Sequence, residues 1–159
     1  FVPVFPTPET FPNDPTRLPN KLRYVMIETF RFAAEYGLTV KLGAPIDTDW
    51  AKPHAAFLGA RELGAPMPFM REMFRARFSR AQDLGDDAVI ADVAERCGLS
   101  ARAVLDAAHT PALQATVSQA WKLGAERDGV FGVPSFVYQQ QLYWGHDRLS
   151  SLRRALVSA

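Results

Sequence analysis

The sequence predicts an α/β chain in which helices far outnumber strands, and three observations carry that prediction. The first is a long middle stretch, 45–127, written in helical periodicity with start and stop residues at each break. The second is a pair of short runs rich in aromatic and β-branched residues, Ser135–Tyr138 and Leu142–Trp144, separated by three glutamines and so reading as a hairpin. The third is Gly132-Val133-Pro134 at the mouth of that hairpin. A proline is out of place at the start of a central strand unless its missing N–H is put to use. Two geometries stay open from these letters: a trans proline opening an edge strand, or the minority cis form of an X–Pro bond.

Composition narrows the class. A chain of 159 residues is expected to be one domain with a proper core. Its net charge of +1 gives no electrostatic reason for nucleic acid or an anionic membrane as partner. No run approaches the roughly 18 apolar residues of a membrane-spanning helix, and FVPVFPTPETFP is too rich in proline for the apolar core of a signal peptide. A cytoplasmic protein is expected. Cys97 is the single cysteine, which excludes an intrachain disulfide, a C-x-x-C redox pair and a thiolate zinc cluster. It falls on one helical face with Val89, Ile90, Val93 and Ala94, so it reads as core rather than as a reactive thiol.

From the start, Phe1-Val2-Pro3-Val4 reads as the end of a strand, and the prolines at 6, 8, 12, 15 and 19 make residues 5–20 a loop. Asn20 is expected to cap a helix over Lys21–Tyr36, with Gly37 as its stop and Tyr24, Ile27, Phe30 and Ala34 as its apolar stripe. Leu38–Leu42 reads as briefly extended. Helices follow from Asp47, with Pro53 in a first turn and Gly64 as a stop, then a helix over Pro66–Ala81. In that helix Phe69, Met70, Met73, Phe74, Arg77 and Phe78 keep helical register, while Arg71, Arg75 and Arg80 read as a solvated face balanced by Glu72 and Asp83 rather than a phosphate-binding row. Asp86 or Asp87 is expected to cap a helix ending at Gly98, and Ser100 one ending near Ala108. Thr110-Pro111 opens a helix to Arg127 with Leu113, Val117, Ala120, Trp121 and Gly124 on one face. Asp147 is expected to cap a last helix over Arg148–Val157. His54, His109 and His146 show no metal-ligand spacing with one another or with Cys97, and G-V-F-G lacks the lysine and the following helix of a phosphate loop.

The proline-led hairpin is the arrangement of thioredoxin-like domains, where the proline is cis and the backbone of the residue before it pairs with a cysteine-containing peptide. Within that superfamily the chain resembles the 2-hydroxychromene-2-carboxylate isomerases and the kappa-class glutathione transferases. The resemblance rests on Gly129, Phe131, Gly132, Val133, Pro134, Ser135 and Phe136, then Trp144, Gly145, Asp147, Arg148 and Leu149, all in register. Asn13, Pro15, Pro19, Lys21 and Tyr24 match a second, looser pattern, with Thr16 replacing a proline. The layout agrees over essentially the whole chain. It implies a thioredoxin-like fold with a large all-helical insertion, divided as 1–44, 45–127 and 128–159.

The resemblance also implies a function. Glutathione would be held by Asn13, Lys21, the backbone of Val133 before Pro134, His146 and Asp147, and a small aromatic carboxylate would bind beside Phe74 and Phe78. The reaction would be glutathione-assisted isomerisation of an acid from aromatic breakdown, or a kappa-like transfer, with no metal and with a homodimer as the expected assembly. His146 departs from the small hydroxylated residue frequent there. The family's first strand and helix, whose junction carries the serine facing the glutathione sulfur, have no counterpart in the sequence. A fragment, a separate N-terminal polypeptide and a shortened member completed by a partner are the three readings, and unless the missing segment is supplied, glutathione binding that is weak or absent and no catalysis are expected. The alternative function is a catalytically inactive thioredoxin-like scaffold using an open strand edge.

Overall fold

Pro19 opens α1 (Pro19–Glu35), because its fixed φ suits the first helical position and it has no N–H to leave unpaired. The computed structural model describes residues 18–45 and 47–158, so the expected strand at Phe1–Val4, most of the proline loop and Asn13 lie outside the described residues. Asn20 does not cap α1 as expected; Leu18 holds that position without a side-chain hydrogen bond, and Asn20 lies inside the first turn. The expected stripe does not turn inward either. Tyr24, Ile27, Phe30 and Ala34 are exposed, and the inner side instead runs through half-buried Met26, Thr29 and Phe32 to buried Ala33. α1 is apolar around most of its girth, so its periodicity fits more than one stripe and packing selects among them.

The described residues fall into two compact units, 18–117 and 118–158. In the first, α2 (Ala51–Glu62), α3 (Pro66–Phe74), α4 (Asp87–Arg96) and α5 (Ala101–Ala108) enclose a core of Ala56, Ala60, Phe69, Ile90, Val93 and Val104, none of them exposed. α2 lays its small residues, Ala55, Ala56, Gly59 and Ala60, inward, which lets α5 approach closely. Asp86 caps α4 by accepting from Ala88 N–H at 2.9 Å, and Ser100 caps α5 through Ala103 N–H at 3.3 Å, each satisfying a donor the helix cannot. Lys52 Nζ donates to Gly85 O and Asp87 Oδ1, both at 3.2 Å, while the other Asp87 oxygen meets His109 Nε2 at 2.7 Å, so one carboxylate ties α2, α4 and the end of α5. Cys97 packs half-buried against this core, and burial pushes its thiol up, away from the reactive thiolate.

Two departures bear on the site. The helix expected over Pro66–Ala81 is α-helical only to Phe74 and continues as a π-helical turn, Arg75–Ser79. The turn is held from outside, since Arg77 lies over the Trp50 ring at 5.1 Å and donates to Thr48 Oγ1 at 3.3 Å. The stretch expected to extend at Leu38–Leu42 forms no strand, but Lys41 N–H donates to Phe78 O at 2.7 Å and Ser79 Oγ to Thr39 O at 2.8 Å, pinning it along that turn.

α6 (Pro111–Asp128) starts where expected, although the Thr110 hydroxyl donates back to Asp106 O at 2.7 Å instead of capping it. The second unit's sheet is an antiparallel hairpin, β1 (Ser135–Tyr138) and β2 (Gln141–Trp144), paired Ser135 with Trp144 through Tyr138 with Gln141. The turn holds two glutamines rather than three: Gln139 and Gln140 both take positive φ, +47° and +61°, which matches the twist of the strands. A 3-10 turn, His146–Arg148, leads into α7 (Leu149–Val157). Asp147 therefore does not cap α7; Arg148 occupies that position and no side chain bonds the helix end. Among the described residues no helix is long and apolar enough to cross a membrane.

Candidate functional site

The loop between α6 and β1 is fastened at three points. Val130 N–H returns to Gly124 O at 3.1 Å, closing the helix end, and Ser135 Oγ donates to Gly132 O at 2.6 Å. Phe131 packs against Trp144 with ring centroids 4.9 Å apart and planes tilted by 55°, a favourable edge-on aromatic pair. Between these anchors the Val133–Pro134 bond is cis. Val133 itself is 57 % exposed, and among the described residues its backbone N–H and C=O make no hydrogen bond.

Gly145 joins this loop to the turn carrying Asp147. Its N–H donates to Pro134 O at 2.9 Å, and its φ of +101° is a conformation that only glycine adopts readily. A Cβ there would run into the Asp147 carboxylate, so that carboxylate lies directly over Gly145. Asp147 is open to solvent, and its charge is answered by Arg148 Nη1 at 3.3 Å, an exposed pair that holds it only weakly. An unpaired amide and carbonyl next to an accessible carboxylate can receive an extended peptide and its ammonium group together.

The expected site residues are thus placed unevenly. Val133, Pro134, His146 and Asp147 come together in the second unit, with His146 exposed in the 3-10 turn. Lys21 stands exposed on the first turn of α1 in the other unit, and Asn13 lies outside the described residues. Phe74 and Phe78 stack in the helical unit with centroids 6.1 Å apart. They line an open cleft of about 590 Å³ whose other apolar walls are Phe32, Leu38 and Val40. Leu38 and Val40 were not assigned to that cleft from the sequence, although the alternation of Leu38, Val40 and Leu42 with polar residues between Gly37 and Gly43 was a signal that one side of this segment is apolar. At its edge Glu72 receives Arg80 at 2.8 Å and Arg75 at 3.3 Å. Burial pushes the Glu72 carboxyl up, but the bonds from these two guanidiniums outweigh it and hold it below the usual range. Among the described residues no group of histidine, cysteine and carboxylate side chains could hold a metal ion.

A cis-proline-led hairpin tied to a helix-leading turn, in a chain that also carries a helical unit, defines a protein of the thioredoxin-like class. The chain belongs to the DSBA-like thioredoxin domain family, which it matches over residues 2–157. It is similar to a 2-hydroxychromene-2-carboxylate isomerase of Sphingobium xenophagum, 29 % identical over 138 residues that cover 86 % of this chain and 69 % of the relative. A solved structure of a 2-hydroxychromene-2-carboxylate isomerase superposes with a TM-score of 0.79 at 21 % identity, over 91 % of this chain and 70 % of that one, and shows the shared fold.

Proposed function

We propose that the chain acts in glutathione-dependent isomerisation of a small aromatic carboxylate; isomerisation of a carboxylate is what its Sphingobium relative's name describes, and the use of glutathione is inferred from the chemistry of the residues below. The observation that supports this reading is the Gly145–Pro134 hydrogen bond, which ties the residue after Val133 to the glycine over which the open Asp147 carboxylate lies. The fit to a γ-glutamyl-cysteinyl peptide is chemical. Val133 N–H and C=O would pair with the cysteinyl unit, and Asp147 would face the α-ammonium of the γ-glutamyl end. Lys21 would offer a point charge to a ligand carboxylate. Bound glutathione would supply a thiolate able to add to a conjugated double bond and, after rotation about the resulting single bond, to be expelled again, with no net change in the thiol. Phe74 and Phe78 would take the substrate ring, where apolar walls exclude water.

Glutathione titrated by calorimetry into the wild-type chain and into Asp147→Ala tests the reading. Weak heat of binding is expected in the wild-type chain, and affinity at least about tenfold weaker still in the variant, since a charge-assisted hydrogen bond is lost. Equal affinities in the two would sink the assignment of Asp147. A transferase-like activity instead of isomerisation would show as conjugation of glutathione to an electrophilic nitroarene with no conversion of a 2-hydroxychromene-2-carboxylate.

A further inference from the structure

We propose that Arg71 is the residue that makes the helical unit's cleft select anions, so that the cleft prefers a flat aromatic monocarboxylate over its uncharged counterpart. This deepens the reading above and rests on its placing of the substrate at Phe74 and Phe78.

The polar groups that line the cleft differ in what they already do. Thr29 Oγ1 donates to Val25 O at 2.8 Å, back along α1. Ser79 Oγ donates to Thr39 O at 2.8 Å, so that hydroxyl and that carbonyl are engaged with each other. Arg75 lines the cleft too, but its guanidinium is paired with Glu72 at 3.3 Å. Arg80 takes the other Glu72 oxygen at 2.8 Å, so that carboxylate is shared between two arginines. Arg71 also lines the cleft, and among the described residues its side chain makes no hydrogen bond or ion pair.

The charge pattern follows from helical spacing. Arg71 and Arg75 lie one turn apart on α3 and the π-helical turn, and Glu72, the residue after Arg71, points forward to receive Arg75 and Arg80. Arg71 is left with its charge unanswered in the cleft that the stacked rings of Phe74 and Phe78 line. An unpaired planar guanidinium next to an apolar wall fits a ligand that ends in a carboxylate, because the fork of donors can bind both oxygens while the ring stacks. A volume of about 590 Å³ accommodates a bicyclic ring with its acid group. The walls are held in place without ligand, since the segment 38–41 is bonded to the π-helical turn by Lys41 N–H to Phe78 O at 2.7 Å.

The test is calorimetric titration, without glutathione, of 2-naphthoate and of 2-naphthamide into the wild type, Arg71→Gln and Arg75→Gln. The wild type is expected to bind the acid about tenfold more tightly than the amide. Arg71→Gln should bring the two ligands close to parity, and Arg75→Gln should keep most of the preference. Both arginines are exposed, so far-ultraviolet circular dichroism of each variant should match the wild type. Equal binding of acid and amide by the wild type, or a preference that survives Arg71→Gln, overturns the role of Arg71 while leaving the cleft as a ring site. Binding of neither probe overturns the cleft reading and this inference with it. Because no thiol is present, a failure of the glutathione reading leaves the outcome unaffected.

Discussion

The approach of α2 to α5 gives the sharpest energetic prediction. A Cβ built on Gly59 would lie 2.5 Å from Ala107 Cβ, against the roughly 3.5–4.0 Å at which carbon atoms rest. Two opposed effects meet in Gly59→Ala. Replacing a mid-helix glycine favours the helix by about 1 kcal/mol. Forcing an extra methyl into a packed interface costs about 1–3 kcal/mol, and the upper end applies because Ala107 has no rotamer to yield, so the helices themselves must part. A net loss of about 2 kcal/mol is expected. Ala107→Gly alone should cost about 1 kcal/mol through helix propensity. The double variant removes the clash and exchanges one helical glycine for another, so its stability should return to near the wild type, a coupling of about 3 kcal/mol. Urea denaturation followed by circular dichroism at 222 nm, with unchanged slopes, measures all four corners of this cycle. Strictly additive single effects, or a stabilised Gly59→Ala, would falsify the close packing of these helices.

Two further outcomes follow from the same unit. Phe69 is fully buried, so Phe69→Ala should cost about 3–5 kcal/mol and lower the urea midpoint with the slope kept; a loss below about 1 kcal/mol would mean the site collapses or is wet. His54 is buried on α2, and desolvation holds its pKa below 6.5, although its Nδ1–H bond to Trp50 O works the other way. The unfolded chain therefore takes up this proton first as pH falls, so stability should decline from about pH 6.5 downward and level off beneath the folded pKa. In His54→Gln that part of the decline should vanish, and an unchanged pH profile between 7.5 and 5.5 would refute the buried neutral ring.

How legible these features were depended on whether the deciding interaction was local. Asp86 and Ser100 could be read as caps because a short acceptor before an apolar period meets amides only two or three residues on. Thr110 carries the same signal, yet its hydroxyl had a second local choice, the Asp106 carbonyl one turn back, and took it. The π-helical turn at Arg75–Ser79 was not legible, since what holds it is Arg77 reaching Thr48 and Trp50 across the fold. The α1 stripe failed for a related reason: with apolar residues spread around most of the helix, only tertiary contact decides which part of that wide face is inner. In the site, Val133, Pro134, Gly145 and Asp147 were readable as a spaced motif. The solitude of Arg71 was not, because sequence cannot say which two of three arginines share Glu72.

The hairpin shows how one turn decides the geometry of the candidate site. A loop of three glutamines would have paired Tyr138 with Leu142, Ser135 with Gly145, and set Pro134 opposite His146. Positive φ at Gln139 and Gln140 shortens the turn to two residues, so Tyr138 pairs with Gln141 and Ser135 with Trp144. The next position outward then sets Pro134 against Gly145, and the bond from Gly145 N–H to Pro134 O is the continuation of the strand ladder by one rung. A slip of one residue moves every side chain on β2 to the other face as well, which would part Trp144 from Phe131 and release the loop before Val133. The residue meeting Pro134 also has to take φ of +101° and leave room for the Asp147 carboxylate, and glycine alone meets both demands. The spacing from Pro134 to Gly145 and Asp147 is therefore a mechanical consequence of the turn at Gln139-Gln140, and the juxtaposition of the Val133 backbone with the Asp147 carboxylate depends on that turn keeping its length.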